Sequence, residues 1–371
     1  MAVYRIFPEK DSFIFSESPT ANAGLDEIIE IGGYQDTSGV GEASRILIQF
    51  SQTELQNIFN NYIQTSSFSA SLGVYLADAY QIPYNTSIYA YPIYSETGWD
   101  NGTGKYGDIP VNSSGVSWNY RQTGASSPWL LTSFPLGVTG SYADGKSGGG
   151  NWYYEVNGNP VVSVQANSIK STYDIQLNVT DAVTLWNTEE IDNNGLLLKV
   201  DDAIEFNTTS SVRLKYFSSD TNTIFPPYLD LKWDDSIYST GSLTLLENSN
   251  AIISINNNVG KYADTGKQRF RLSAKPKYPV RTFTTSSIYL QNYALPQETY
   301  WGLRDENSEE MIIDFDTDFT KVSCDSQGSY FDIFMDGLQP ERYYRILVKT
   351  ALDGSTTIVD NGNVFKVVRN G

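Results

Sequence analysis

Short apolar runs recur along this chain at a spacing of about 10 residues, separated by Gly, Asn, Asp and Ser. Runs this short cannot complete the three or more turns of an ordinary helix. They suit strands of about five residues punctuated by turns, so the pattern predicts an all-β chain. Ser44-Arg45-Ile46-Leu47-Ile48-Gln49-Phe50, Ala70 to Leu76 and Ser87 to Ile93 are the first such runs. Asn151 to Val156, Val161 to Val164, Gly195 to Val200, Val212 to Phe217 and Tyr228 to Trp233 continue the series. The 26 Tyr and seven Trp fit the same reading, because aromatic side chains favour pleated, half-buried surfaces.

Two segments read as short helices. Ser51-Gln52-Thr53-Glu54 has the form of a capping box, followed by Leu55, Ile58, Phe59 and Tyr62 on one face. Thr180 is placed to cap a second helix carrying Val183 and Trp186. Neither is long enough to be the crossover helix of a parallel sheet.

With 371 residues, the chain exceeds one ordinary sandwich. A polar link, Tyr238-Ser239-Thr240-Gly241-Ser242, follows the Pro226-to-Trp233 run, after which strands restart. Leu243 to Leu246, Ala251 to Ile255, Lys267 to Leu272, Met311 to Phe315, Tyr330 to Met335, Tyr343 to Val348 and Val364 to Val368 make about seven, the complement of a small sandwich. The expected division is therefore 1–236 and 237–371. Residues 95–150, rich in Gly, Ser and Asn, form an insertion too long for an ordinary connection.

Composition narrows function. The chain has no histidine, which removes the commonest general base and the commonest metal ligand. The one cysteine, Cys324, has no basic neighbour to activate it and no partner for a disulfide. A net charge of −18 opposes binding to nucleic acid or to anionic membranes. No run approaches a membrane span, and Met1-Ala2-Val3-Tyr4-Arg5-Ile6-Phe7 lacks the form of a secretory signal, so synthesis and assembly in a cytoplasm are expected. No enzyme activity, cofactor or metal is expected, although the spacing of two glycosidase carboxylates is a three-dimensional property that sequence does not reveal.

Gly140-Ser141-Tyr142-Ala143-Asp144-Gly145-Lys146-Ser147 matches the pattern of a phosphate loop, which needs a helix directly after it. Gly148-Gly149-Gly150 follows instead and cannot nucleate one. Asp314, Asp316 and Asp318 alternate with Phe315, Thr317 and Phe319. On a strand the three carboxylates would share a face and form a weak Ca²⁺ candidate, with a solvated face as the alternative. Trp99, Trp118, Trp129 and Trp152 are the candidates for contact with a subunit or a glycan, with burial in the core as the alternative.

The ordered landmarks Arg45-Ile46-Leu47-Ile48-Gln49-Phe50, Ala70 to Leu76, Gly115-Val116-Ser117-Trp118, Asn178-Val179-Thr180-Asp181-Ala182-Val183 and Asn193 to Lys199 resemble the DNRLRE-type domain. That resemblance implies a jelly-roll-like sandwich of the kind used as a carbohydrate-binding or stalk module. Leu338-Gln339-Pro340-Glu341-Arg342-Tyr343-Tyr344 resembles the fibronectin type III pattern. It implies an immunoglobulin-like sandwich with a tyrosine corner made by Leu338, Pro340 and Tyr344. The opening Ala2 to Asp11, with the pairing of domains, resembles structural proteins of tailed phages, especially those infecting marine cyanobacteria. The resemblance implies a virion component of the tail, neck, baseplate or fibre region. Its partners would be other virion proteins and further copies of itself on a symmetric particle, with host surface glycan as the alternative.

Overall fold

The structure, a computed structural model, describes residues 2–64, 66–81, 86–124, 127–167, 174–209, 211–248, 250–279 and 291–369. It is an all-β protein, with two short α-helices among the described residues. The chain divides into two compact units, one of Ile6–Gln64 and Ser69–Asp230, the other of Met1–Arg5, Thr65–Phe68 and Leu231–Gly371.

The larger unit is built on one antiparallel sheet. Its strands follow the spatial order Ser163–Asn167, Thr86–Pro92, Leu196–Val200, Gly41–Gln49, Ile28–Gln35, Val212–Phe217 and Leu76–Tyr80, and Lys10–Phe15 also pairs with Gly41–Gln49. Leu196–Val200 is buried along its whole length and lies in the interior of the order, its four apolar residues broken only by Lys199, which is itself buried and paired with Glu205. Val212–Phe217 and Thr86–Pro92 alternate buried with part-buried residues. Leu214 pairs with Ile31 and Leu197 with Leu47, so apolar side chains meet across the ladders. Leu72 meets Leu177 in a second antiparallel pair, Phe68–Val74 with Ile175–Asn178.

Both helices form where expected, with different ends. Ser51 occupies the N-cap of the Gln52–Ile58 helix without a capping hydrogen bond from its side chain. The helix then widens into a π-turn, Phe59–Ile63, closed by Gln64 N donating to the Phe59 carbonyl at 2.7 Å. The wider turn advances the face by one residue, so Ile63 is buried where helical spacing indicated Tyr62. In the second helix Thr180 is the first helical residue and Val179 the N-cap. The Thr180 hydroxyl instead accepts from Ala70 N at 2.9 Å and donates to Asn178 Oδ1 at 2.6 Å.

The smaller unit has immunoglobulin topology. Strands A (Ala251–Ile255), B (Lys267–Pro276), E (Gly328–Phe334) and D (Ser323–Asp325) form one sheet in that spatial order. Strands A′ (Lys261–Ala263), G (Ser355–Val368), F (Tyr343–Leu352), C (Thr299–Asp305) and C′ (Met311–Ile313) form the other, with A′ parallel to G. Trp301 of strand C is 1% exposed and stacks on Phe331 of strand E, their centroids 5.2 Å apart. Phe331 stacks in turn on Phe270 of strand B at 5.6 Å. In a chain without a disulfide, these aromatic rings fill the centre of the sandwich. Val3 joins this core, and Arg5 donates to the Ile312 carbonyl at 2.9 Å. The first residues of the chain thus belong with its last 140 or so, an association that sequence order hides.

Candidate functional site

The 95–150 insertion has few strands and is held mainly by side-chain hydrogen bonds. Trp99, Trp118, Trp129 and Trp152 all turn inward and form one cluster with Ile14, Ala43, Leu47, Ile93, Val116 and Leu197. None is more than 6% exposed, so the expectation that they contact a partner or glycan is corrected. Burying these rings removes more apolar area than any other choice in a Gly- and Asn-rich segment. Trp99, Trp118 and Trp129 donate their indole N–H groups to the carbonyls of Asn194 (2.9 Å), Ser147 (2.7 Å) and Ser117 (3.1 Å). Buried Asn22 donates to the carbonyls of Asn101 and Val116 and accepts from Gly104 N. Asn151 does the same for both backbone groups of Leu130. The abundance of Asn here reflects this role, since one amide supplies both donors and an acceptor to unpaired backbone.

Beneath the insertion lies a buried charge cluster. The Arg45 guanidinium donates to both Glu205 carboxylate oxygens, from Nε at 2.8 Å and Nη2 at 2.6 Å. Its Nη1 donates to the Ser141 hydroxyl and the Gly149 carbonyl. The rings of Trp118 and Trp152 each lie 5.0 Å from the guanidinium carbon. Lys199 reaches Glu205 at 3.1 Å and also pairs closely with Asp202. A cleft of about 220 Å³ opens beside the cluster, lined by Arg45, Ser141, Lys146, Asp202, Glu205 and Phe206.

The phosphate-loop pattern falls on the wall of this cleft. Ser141–Asp144 make a 3₁₀ turn, Gly145 has φ +81°, and Gly148, Gly149 and Gly150 all have positive φ. Three successive left-handed residues are tolerable only as glycine. They turn a carbonyl toward a cation, the opposite polarity to a cradle of N–H groups around a phosphate. A Cβ on Gly149 would stand 2.7 Å from both Arg45 Nη1 and the Trp118 ring.

Asp314, Asp316 and Asp318 do not share a strand face. Strand C′ ends at Ile313, and Asp316 Oδ1 accepts from the backbone N–H groups of Asp318 and Phe319, folding the segment into a turn. Among the described residues no group of three His, Cys, Asp or Glu side chains gathers as metal ligands would. Cys324 is buried, and burial raises its thiol pKa. At the corner before strand F, Tyr344 Oη donates to the Gln339 carbonyl at 3.1 Å, beside buried Leu338 and half-buried Pro340. Burial raises the Tyr344 pKa and keeps that hydroxyl protonated as a donor. Asp11 is another buried carboxyl, accepting from Ser219 N and Ser219 Oγ at 2.7 Å each. Burial lifts its pKa to about 6 against the opposing effect of those two hydrogen bonds.

A second cleft of about 320 Å³ was not anticipated from the sequence. It is lined by Tyr34, Gln35, Asp78, Tyr80, Ser211, Arg213 and Lys215, beside the edge strand Leu76–Tyr80. Arg213 lies over the Tyr34 ring at 3.6 Å, and Tyr34 donates its hydroxyl to Glu17 at 3.0 Å. Burial and the Glu17 charge raise the Tyr34 pKa. The available signal was the alternation Arg213-x-Lys215 facing Asp78-x-Tyr80, but it becomes visible only once Val212–Phe217 is known to pair with Leu76–Tyr80.

Among the described residues no helix is long and apolar enough to cross a membrane. No protein-family model matches the chain, and no curated protein matches it. Among solved structures it is similar to a DUF4785 family protein from Legionella pneumophila at 10% identity. The match covers 98% of this chain and 65% of that one with a TM-score of 0.20, too slight a likeness to carry an argument.

Proposed function

We propose that this chain is a non-catalytic structural component of a tailed bacteriophage virion, in the tail, neck, baseplate or fibre region, acting through protein–protein interfaces. The observation that carries the reading is the use to which its chemistry-bearing side chains are put. Arg45 and Lys199 share the Glu205 carboxylate, Asp11 holds Ser219, and Tyr344 closes a turn. Each acts as a strut inside a sandwich. Meanwhile Ile109 (97%) and Leu136 (93%) stand almost fully exposed on the insertion, apolar groups available to a neighbouring subunit. Mass spectrometry of salt-washed particles, with antibody labelling of the intact particles, tests the proposal. Stoichiometric retention at a fixed position is expected, and loss of the chain in the wash overturns it.

A second reading, attachment to host surface glycan, is favoured by the cleft at Tyr34, Tyr80 and Arg213. It combines aromatic rings with amide, carboxylate and cationic groups at the lower end of ligand-pocket volume. Binding of the intact chain to a glycan array tests it, and an array without response removes it.

A further inference from the structure

Resting on that second reading, we infer that the Tyr34–Tyr80–Arg213 cleft takes an uncharged, hydroxyl-rich saccharide in preference to an acidic one. Its donors and acceptors stand side by side without closing on one another. Lys215 and Asp78 are direct partners across the ladder, yet neither forms an ion pair with the other within 4.0 Å among the described residues. The Arg213 guanidinium meets Glu30 through Nε at 3.7 Å, beyond hydrogen-bond reach, and among the described residues its terminal N–H groups donate to no side chain. Gln35 lines the same space. A vicinal diol both donates and accepts, so it can bridge such a pair of unlike groups. Tyr80, 55% exposed, supplies an aromatic wall for the apolar face of a sugar ring.

Charge decides between neutral and acidic ligands. Arg213 and Lys215 line the cleft with Asp78, while Glu30 lies against Arg213 and Glu17 against Tyr34. Two cations against three carboxylates leave no surplus for a ligand carboxylate, and the chain as a whole carries −18. The cations serve as hydrogen-bond donors, and an acidic sugar meets a repulsive field.

The test uses the labelled full chain on an array of neutral glycans and their uronate or sialylated counterparts. Calorimetry on the best neutral glycan then compares wild type with Lys215→Gln and Tyr80→Ala. Neutral glycans are expected to bind about tenfold or more tightly than acidic counterparts, with each substitution weakening binding by at least about tenfold. Lys261→Gln, in strand A′, should leave binding unchanged. Preference for the acidic counterparts overturns the inference while the glycan reading stands. Neutral binding that survives both cleft substitutions moves the site elsewhere and overturns this cleft. Absence of binding to every glycan overturns both.

Discussion

Replacing Glu205 with Gln leaves two buried cations, Arg45 and Lys199, facing one another across a neutral amide. The Glu205 side chain is 3% exposed and those of Arg45 and Lys199 are 1% and 6%, so water cannot compensate, while Asp202 is 80% exposed and weakly felt. Breaking a buried pair from one side costs about 3–5 kcal/mol, and two stranded cations place Glu205→Gln near the upper half, at about 4 kcal/mol. Arg45→Met is milder, about 2 kcal/mol, because Glu205 keeps Lys199 at 3.1 Å and the Met side chain retains packing between the Trp118 and Trp152 rings. Both substitutions together should cost about 2 kcal/mol less than their sum, the coupling expected of groups in direct contact. Urea unfolding followed by tryptophan fluorescence suits the measurement, since Trp118 and Trp152 flank Arg45. In a unit of this size Glu205→Gln should also lower the melting temperature by about 8–16 °C. Equal losses for the two single variants, or strict additivity in the double, would refute the account of one carboxylate serving two cations.

Asp11 gives a pH signature. Its native pKa of about 6 lies above the ordinary aspartate value of 3.8, so the folded state binds the extra proton between those values. The contribution is fully present below pH about 4, falls by about 3 kcal/mol as pH rises through 6, and is flat above. Asp11→Asn should remove that slope, and urea midpoints taken from pH 4 to 8 check it. Tyr344→Phe should cost about 1 kcal/mol by deleting the hydrogen bond to Gln339, read as a shift confined to the unfolding of the smaller unit. Trp118→Ala should cost about 3–5 kcal/mol and expose the insertion to protease, since it removes both core volume and the anchor on Ser147. Gly33→Ala should fail to fold, because its Cβ would lie 1.9 Å from the Ile204 carbonyl oxygen; circular dichroism of any soluble product checks this.

The sequence by itself determined the secondary-structure class, because periodicity and turn residues act locally. Runs such as Leu196–Val200 and Val212–Phe217 are strands whatever they pair with. The corner at Tyr344 was legible for the same reason, its bond spanning five residues. The tryptophans were legible as important and illegible as to direction. Whether Trp118 faces a partner or Arg45 depends on a strand more than 70 positions earlier, and no local pattern encodes that contact. The same holds for Arg45 and Glu205, separated by 160 positions, and for the cleft at Tyr34, Asp78 and Arg213, which three distant segments assemble. Even Ala2–Ile6, which sequence order assigns to the first domain, lies for residues 2–5 in the unit formed by the chain's other end. Strands follow from neighbours in sequence; sites, and the sharing of strands between units, follow from pairings that only the folded chain selects.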